Sequence, residues 1–133
     1  MNGVFLDTVG LIAVWDTSDQ WHEPAAAAFN KLLSASTRLF STSYVLLESG
    51  NAASRRPYRR RVSALRQYLI HANSLIDPTA EEIEAAWDAF DRSEAGQAGI
   101  VDQVSFVVMR RLGLKRAFTN DEHFRAASFE TCW

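Results

Sequence analysis

Short apolar runs of strand length alternate with longer stretches of helical periodicity along the chain, and this alternation restricts the fold more than any other feature. A strand followed by a crossover helix and another strand gives an α/β domain with a mostly parallel sheet. The first strand is expected over Val4 to Asp7, followed by a helix that includes Leu11, Ile12 and Trp15. Pro24 opens a second helix running to Ala35, at a position where the missing N–H costs little. Arg38 to Thr42 reads as the second strand and Ser43 to Ala53 as the helix after it, with Val45, Leu46 and Ser49 on facing turns. Pro57 interrupts that helix and starts another, which ends near Asn73. Ser74 to Ile76 is a short third strand, and Thr79 with Glu82 makes a capping box that opens a helix through Phe90. Gly96 and Gly99 break the chain. A helix from about Val101 to Leu112, stopped by Gly113, leads into a fourth strand at Arg116 to Thr119, and a last short strand lies near Phe129 to Trp133.

A chain of 133 residues with 47% hydrophobic content builds one sizeable core, so residues 1–133 are expected to form a single domain. No apolar run reaches the roughly 18 residues that span a bilayer. The run from Val9 to Trp15 sits between Asp7 and Asp16, without a basic leader or a small-residue cleavage site. A soluble cytoplasmic protein with no membrane association is the expectation. Cys132 has no second cysteine with which to form a disulfide or a Cys-based zinc site, in agreement with a reducing compartment, and is read as a buried residue of the terminal strand.

The formal charge of −2 gives no overall attraction to nucleic acid, so any affinity for a polyanion must come from local clustering. Six arginines, at 55, 56, 59, 60, 61 and 66, occur with no acid among them. They form a solvated helix face, or one that pairs with an acidic partner, or else a phosphate-tracking patch, with Arg55, Arg56, Arg59 and Arg60 as the RNA-binding candidates.

Functional groups of an open parallel sheet gather beyond the carboxyl ends of its strands. Asp7 ends the first strand and Asp121 follows the fourth. Glu48 lies on the helix that leaves the carboxyl end of the second strand. Asp102 starts a helix that runs back before the fourth strand, so its N-terminus returns to the same edge. Taken singly, Asp102 reads as an acid favoured by the helix dipole, Asp121 as a turn residue and Glu48 as a solvated charge. Their shared placement gives them meaning. Four converging carboxylates repel one another unless a cation neutralises them, and an all-oxygen set suits Mg²⁺ better than zinc. His22, His71 and His123 have no metal-ligand spacing among them; His22 reads as an inter-helix contact and His123 as structural. The chemistry expected of such a centre is hydrolysis of a phosphodiester.

These residues resemble the PIN-domain family, and within it the VapC toxins. Phe5-Leu6-Asp7-Thr8 is similar to the family's first motif, and Ser43-Tyr44-Val45-Leu46-Leu47-Glu48 to its second. The most specific stretch is Val101-Asp102-Gln103-Val104-Ser105-Phe106, then Met109-Arg110, Gly113, and Ala117-Phe118-Thr119-Asn120-Asp121-Glu122-His123-Phe124. The coarse match covers nearly the whole chain. The resemblance implies a three-layer fold with central strand order 3-2-1-4-5, Mg²⁺ or Mn²⁺ as cofactor, and endonucleolytic cleavage of transfer, ribosomal or messenger RNA. It also implies a homodimer and a cognate VapB-type antitoxin. Asp7, Glu48, Asp102 and Asp121 are then the catalytic, metal-binding acids, and Thr8, Ser105 and Thr119 orient carboxylates or waters behind them. One departure is the segment Glu94 to Gly99 before Asp102, which has no charged residue next to the third motif, where many relatives carry a charged pair. The competing readings are a non-catalytic partner-binding module and a metal-dependent phosphatase or DNA nuclease using the same acids.

Overall fold

A computed structural model describes residues 2–133. Its strands are β1 (Gly3–Leu6), β2 (Arg38–Thr42), β3 (Leu75–Ile76), β4 (Arg116–Phe118) and β5 (Glu130–Thr131). They form one sheet in the order β3-β2-β1-β4-β5, and every pairing is parallel. The central strand β1 pairs Phe5 with Phe40 on one side and Ala117 on the other. Val4, Phe5 and Leu6 are all fully buried, as a strand covered on both faces requires.

The helices are α1 (Thr8–Trp15), α2 (His22–Ser34), α3 (Ser43–Ala53), α4 (Arg59–His71), α5 (Ala80–Asp91), the single turn α6 (Glu94–Gln97), α7 (Ile100–Leu112) and α8 (Glu122–Ala126). Helix α1 packs on α2 and α3, α3 on α4, and α5 on α7; α3 also touches α7 and joins the two groups. Gly10 makes the close approach of α1 to β4 possible, because a Cβ there would lie 2.0 Å from the Phe118 carbonyl oxygen. The capping box at Thr79 and Glu82 is formed as the spacing predicts. Glu82 also accepts from Arg111 Nε at 2.7 Å and Nη2 at 2.9 Å, which fastens α5 to α7.

Four local expectations are corrected. Helix α2 begins at His22, with Pro24 in its third position, since every N–H of a first turn lacks an intrahelical acceptor and proline is tolerated throughout it. Ser74 precedes β3 and bonds its hydroxyl to the Ala72 carbonyl. The break before α7 comes from positive φ at Ser93, Ala95, Gly96 and Gln97, whereas Gly99 is an extended residue capping α7. Cys132 is only half-buried and lies one residue past β5, although its N–H still bonds the Ala117 carbonyl. His22 does bridge helices, its ring Nδ1 lying 2.8 Å from the Ala13 carbonyl oxygen.

Candidate metal centre

Three helix N-termini meet at the carboxyl edge of the sheet, and each brings an acid. Asp7 is the N-cap of α1, Asp102 lies in the first turn of α7, and Asp121 is the N-cap of α8. One carboxylate oxygen from each of the three lies within 4.8 Å of the others. The positive ends of the helix dipoles favour negative charge there, but the side chains are used differently. Asp121 caps its own helix, accepting the His123 N–H at 2.9 Å. Asp7 makes no capping bond and instead accepts from the Thr119 hydroxyl at 2.9 Å. Thr119 Oγ1 in turn accepts the Asp121 N–H at 3.1 Å, so one buried hydroxyl ties two of the acids together.

Glu48 is not one of the three. It is exposed on α3 and reaches the centre through Thr8, whose hydroxyl donates to Glu48 Oε1 at 2.5 Å; the buried Ser49 donates to the same Thr8 oxygen at 3.3 Å. Its charge still acts on both Asp7 and Asp102. Ser105, the third hydroxyl expected behind the acids, donates to the Val101 carbonyl at 3.0 Å within its own helix rather than to a carboxylate.

Burial dominates the electrostatics. It pushes the Asp7 carboxyl up to about 8, helped by the charges of Asp102, Asp121 and Glu48, while the Thr119 hydrogen bond pulls the other way. Asp102 is raised to about 7, first by burial and then by Asp121 and Glu48, with His123 opposing. A group of buried carboxylates held near protonation at neutral pH is stabilised by a hard divalent cation, which removes both the desolvation and the repulsion at once. The donor set is all oxygen and fits Mg²⁺ or Mn²⁺.

Two residues act on the centre in ways the sequence does not assign, His123 being read there only as structural. His123 stands close enough to Asp102 to favour its ionised form, and the only signal for it was its position two residues after Asp121. Gln103, beside Asp102 and 3% exposed, donates its side-chain amide to the Glu94 carbonyl at 2.9 Å. That bond holds the left-handed turn that launches α7, and through it the placement of Asp102. Nothing local marks a glutamine for that task.

Of the arginines, Arg56 pairs with Asp16 at 2.9 Å and Arg59 donates to the Ser54 carbonyl at 3.1 Å, while Arg55 and Arg60 are exposed. Trp15 and Tyr58 pack on each other with ring centroids 6.3 Å apart, Tyr58 being only 8% exposed, so core packing is their first role. A cavity of about 750 Å³ lies among Gly3, Arg38, Lys115 and Arg116, at the amino ends of the strands and away from the acids. No helix among the described residues is long and apolar enough to cross a membrane.

The model of the PIN domain family matches residues 4–130. A protein of Mycobacterium tuberculosis named as the 23S rRNA-specific endonuclease VapC20 is 29% identical over 127 residues, covering 95% of each chain. The crystal structure of that protein, described as a toxin that cleaves the sarcin-ricin loop, superposes with a TM-score of 0.75 and covers 96% of both chains. The DNA-bound VapBC complex of Salmonella typhimurium contains a chain with the same fold, at a TM-score of 0.64, 21% identity and coverage of 98% of this chain and 97% of that one.

Proposed function

The chain belongs to the PIN-domain family, and on that premise we propose that it is a divalent-metal-dependent endoribonuclease acting as the toxin of a toxin–antitoxin pair. The observation that carries the reading is the set of three carboxylates, drawn from positions far apart in sequence, with oxygens within 4.8 Å of one another at the carboxyl edge of a parallel sheet. Asp7, Asp102 and Asp121 hold Mg²⁺ or Mn²⁺, with Glu48 completing the acidic set from α3. When bound, the ion supplies an activated water and offsets negative charge on the phosphate oxygens.

The protein's own contribution is orientation and exclusion. Thr119 fixes the face that Asp7 presents and the position of Asp121; Thr8 does the same for Glu48. Exposed Arg55 and Arg60, with Arg56 and Arg59 beside them, draw the RNA backbone towards the acids. Ribosomal RNA is the first substrate class to try, because the M. tuberculosis relative is named for that target.

Residues 1–133 act as one PIN domain in the cytoplasm. Two further partners follow from this reading. Tyr44 and Leu47 of α3 and Trp87 and Phe90 of α5 leave apolar surface exposed, Leu47 to 66%, and a second copy of the chain covers it in a homodimer. A VapB-type antitoxin places a segment over the acidic site and silences it.

The deciding experiment is cleavage of small structured RNAs by antitoxin-free protein with Mg²⁺ or Mn²⁺, beside EDTA and Asp102→Asn controls. Discrete fragments that need both the metal and Asp102 are expected. Undiminished cleavage by a folded Asp102→Asn protein would sink the assignment.

A further inference from the structure

A cavity of about 420 Å³ opens where α1 ends and the turn between α3 and α4 meets it, within the size range of small-ligand sites. Trp15, Asp16, Ser18, Arg56, Tyr58 and Arg61 are among the residues lining it. Its apolar wall is the Trp15–Tyr58 pair. The Arg56 guanidinium sits 5.9 Å from the Tyr58 ring centroid and donates to Asp16 Oδ2 at 2.9 Å. Asp16 Oδ1 accepts from the Ser18 hydroxyl at 2.6 Å and the Ser18 N–H at 3.0 Å, which together with Arg56 keep this carboxylate ionised and fixed. Arg61 is exposed and makes no salt bridge among the described residues. A fixed acceptor, an aromatic wall and an unengaged guanidinium are the chemistry that takes a base together with its phosphate.

Helix α1 connects this pocket to the acidic cluster, since Asp7 caps its start and Trp15 is its last residue. Eight residues of helix rise roughly 12 Å, and a stacked strand advances about 3.4 Å per nucleotide, so RNA seated on the acids reaches the pocket within about three or four nucleotides. Between Glu48 and the pocket the chain presents exposed Asn51, Ala52 and Arg55, and no acid occurs from 49 to 76.

We propose that this pocket is a nucleotide subsite: it takes one nucleotide of single-stranded RNA, about three or four positions from the phosphate that is cut, with Arg61 on its phosphate. The proposal rests on the ribonuclease reading and adds to it a second point of grip, outside the acidic centre, that favours looped or unpaired RNA of sufficient length.

The RNA arm of the test uses the Asp102→Asn protein and a fluorescein-labelled single-stranded RNA carrying 4-thiouridine at successive positions; Mn²⁺ affinity is measured in parallel with Asp102 intact. Arg61→Gln is expected to weaken RNA binding about three- to tenfold and to lower the salt dependence by about one phosphate contact, leaving Mn²⁺ affinity unchanged. In the protein with Arg61 intact, photocrosslinks should map to peptides containing Trp15 or Tyr58. If the parent protein binds RNA but Arg61→Gln binds it equally well and the crosslinks fall elsewhere, the subsite is overturned and the pocket is left to a protein partner. If the parent protein binds no RNA at all, the ribonuclease reading falls together with the subsite.

Discussion

Replacing Asp7 by Asn should make the metal-free protein more stable, by an amount that grows with pH. Asp7 is 1% exposed, and its carboxyl is raised from 3.8 to about 8. A raised folded-state pKa means that between these two values the folded chain binds a proton the unfolded chain has released. Stability therefore falls as pH rises from about 4 to about 8, levels off above that, and is unaffected by this group below its unfolded pKa. At about 1.4 kcal/mol per pH unit, the cost of keeping Asp7 in the fold is about 4 kcal/mol at pH 7, and it grows by about 4 kcal/mol between pH 5 and pH 8. Asparagine removes this cost while its side-chain oxygen can still accept from Thr119. Urea unfolding in EDTA should show the gap between variant and parent widening over that range. In thermal unfolding, at about 3 °C per kcal/mol for a chain of this size, the variant should melt roughly 10 °C higher at pH 7. Added Mn²⁺ should narrow the gap at pH 7, since the parent gains about 2.7 kcal/mol at a hundred times Kd and the variant gains little. A variant no more stable than the parent at pH 8, or a gap that does not move with pH, would refute the electrostatic reasoning.

Thr119→Val removes the donor to Asp7 and the acceptor for the Asp121 N–H, and should weaken Mn²⁺ binding about 10- to 100-fold by calorimetry, with the fold retained. Gly10→Ala places a methyl where the Phe118 carbonyl oxygen lies only 2.0 Å away, and should cost about 3 kcal/mol or prevent folding, as read by circular dichroism and urea unfolding. Glu82→Gln breaks the bidentate contact with Arg111 and weakens the tie between α5 and α7. A loss of about 1–2 kcal/mol is expected at pH 7; because Arg111 and the cap hold the Glu82 carboxyl below its usual range, that loss should shrink as pH falls through the carboxylate range.

The order of strands and helices was written in the sequence because each depends on short-range physics. Periodicity separates the buried Val4-Phe5-Leu6 strand from the helix of Ile100–Leu112, Gly113 stops that helix at a positive φ, and Thr79 with Glu82 starts α5. The convergence of Asp7, Asp102 and Asp121 was also legible, since a parallel sheet sends the start of each following helix to one edge. What the sequence by itself could not determine is how each side chain is employed there. Asp7 and Asp121 are the same residue type at the same N-cap position, yet one caps its helix and the other turns to Thr119. Ser105 and Thr119 both looked like supports for the acids, but only Thr119 touches them. Glu48 was expected within the cluster and stands beside it, joined through Thr8. Gln103 and the Asp16–Arg56 pocket were invisible because their partners lie across turns whose geometry no local pattern encodes. Hydrophobic pattern and capping act over a few residues and so survive in the linear sequence. Hydrogen-bond choice among competing partners, and the burial that raises Asp7 and Asp102, depend on neighbours brought together from distant parts of the chain and are settled only when the tertiary structure closes around them.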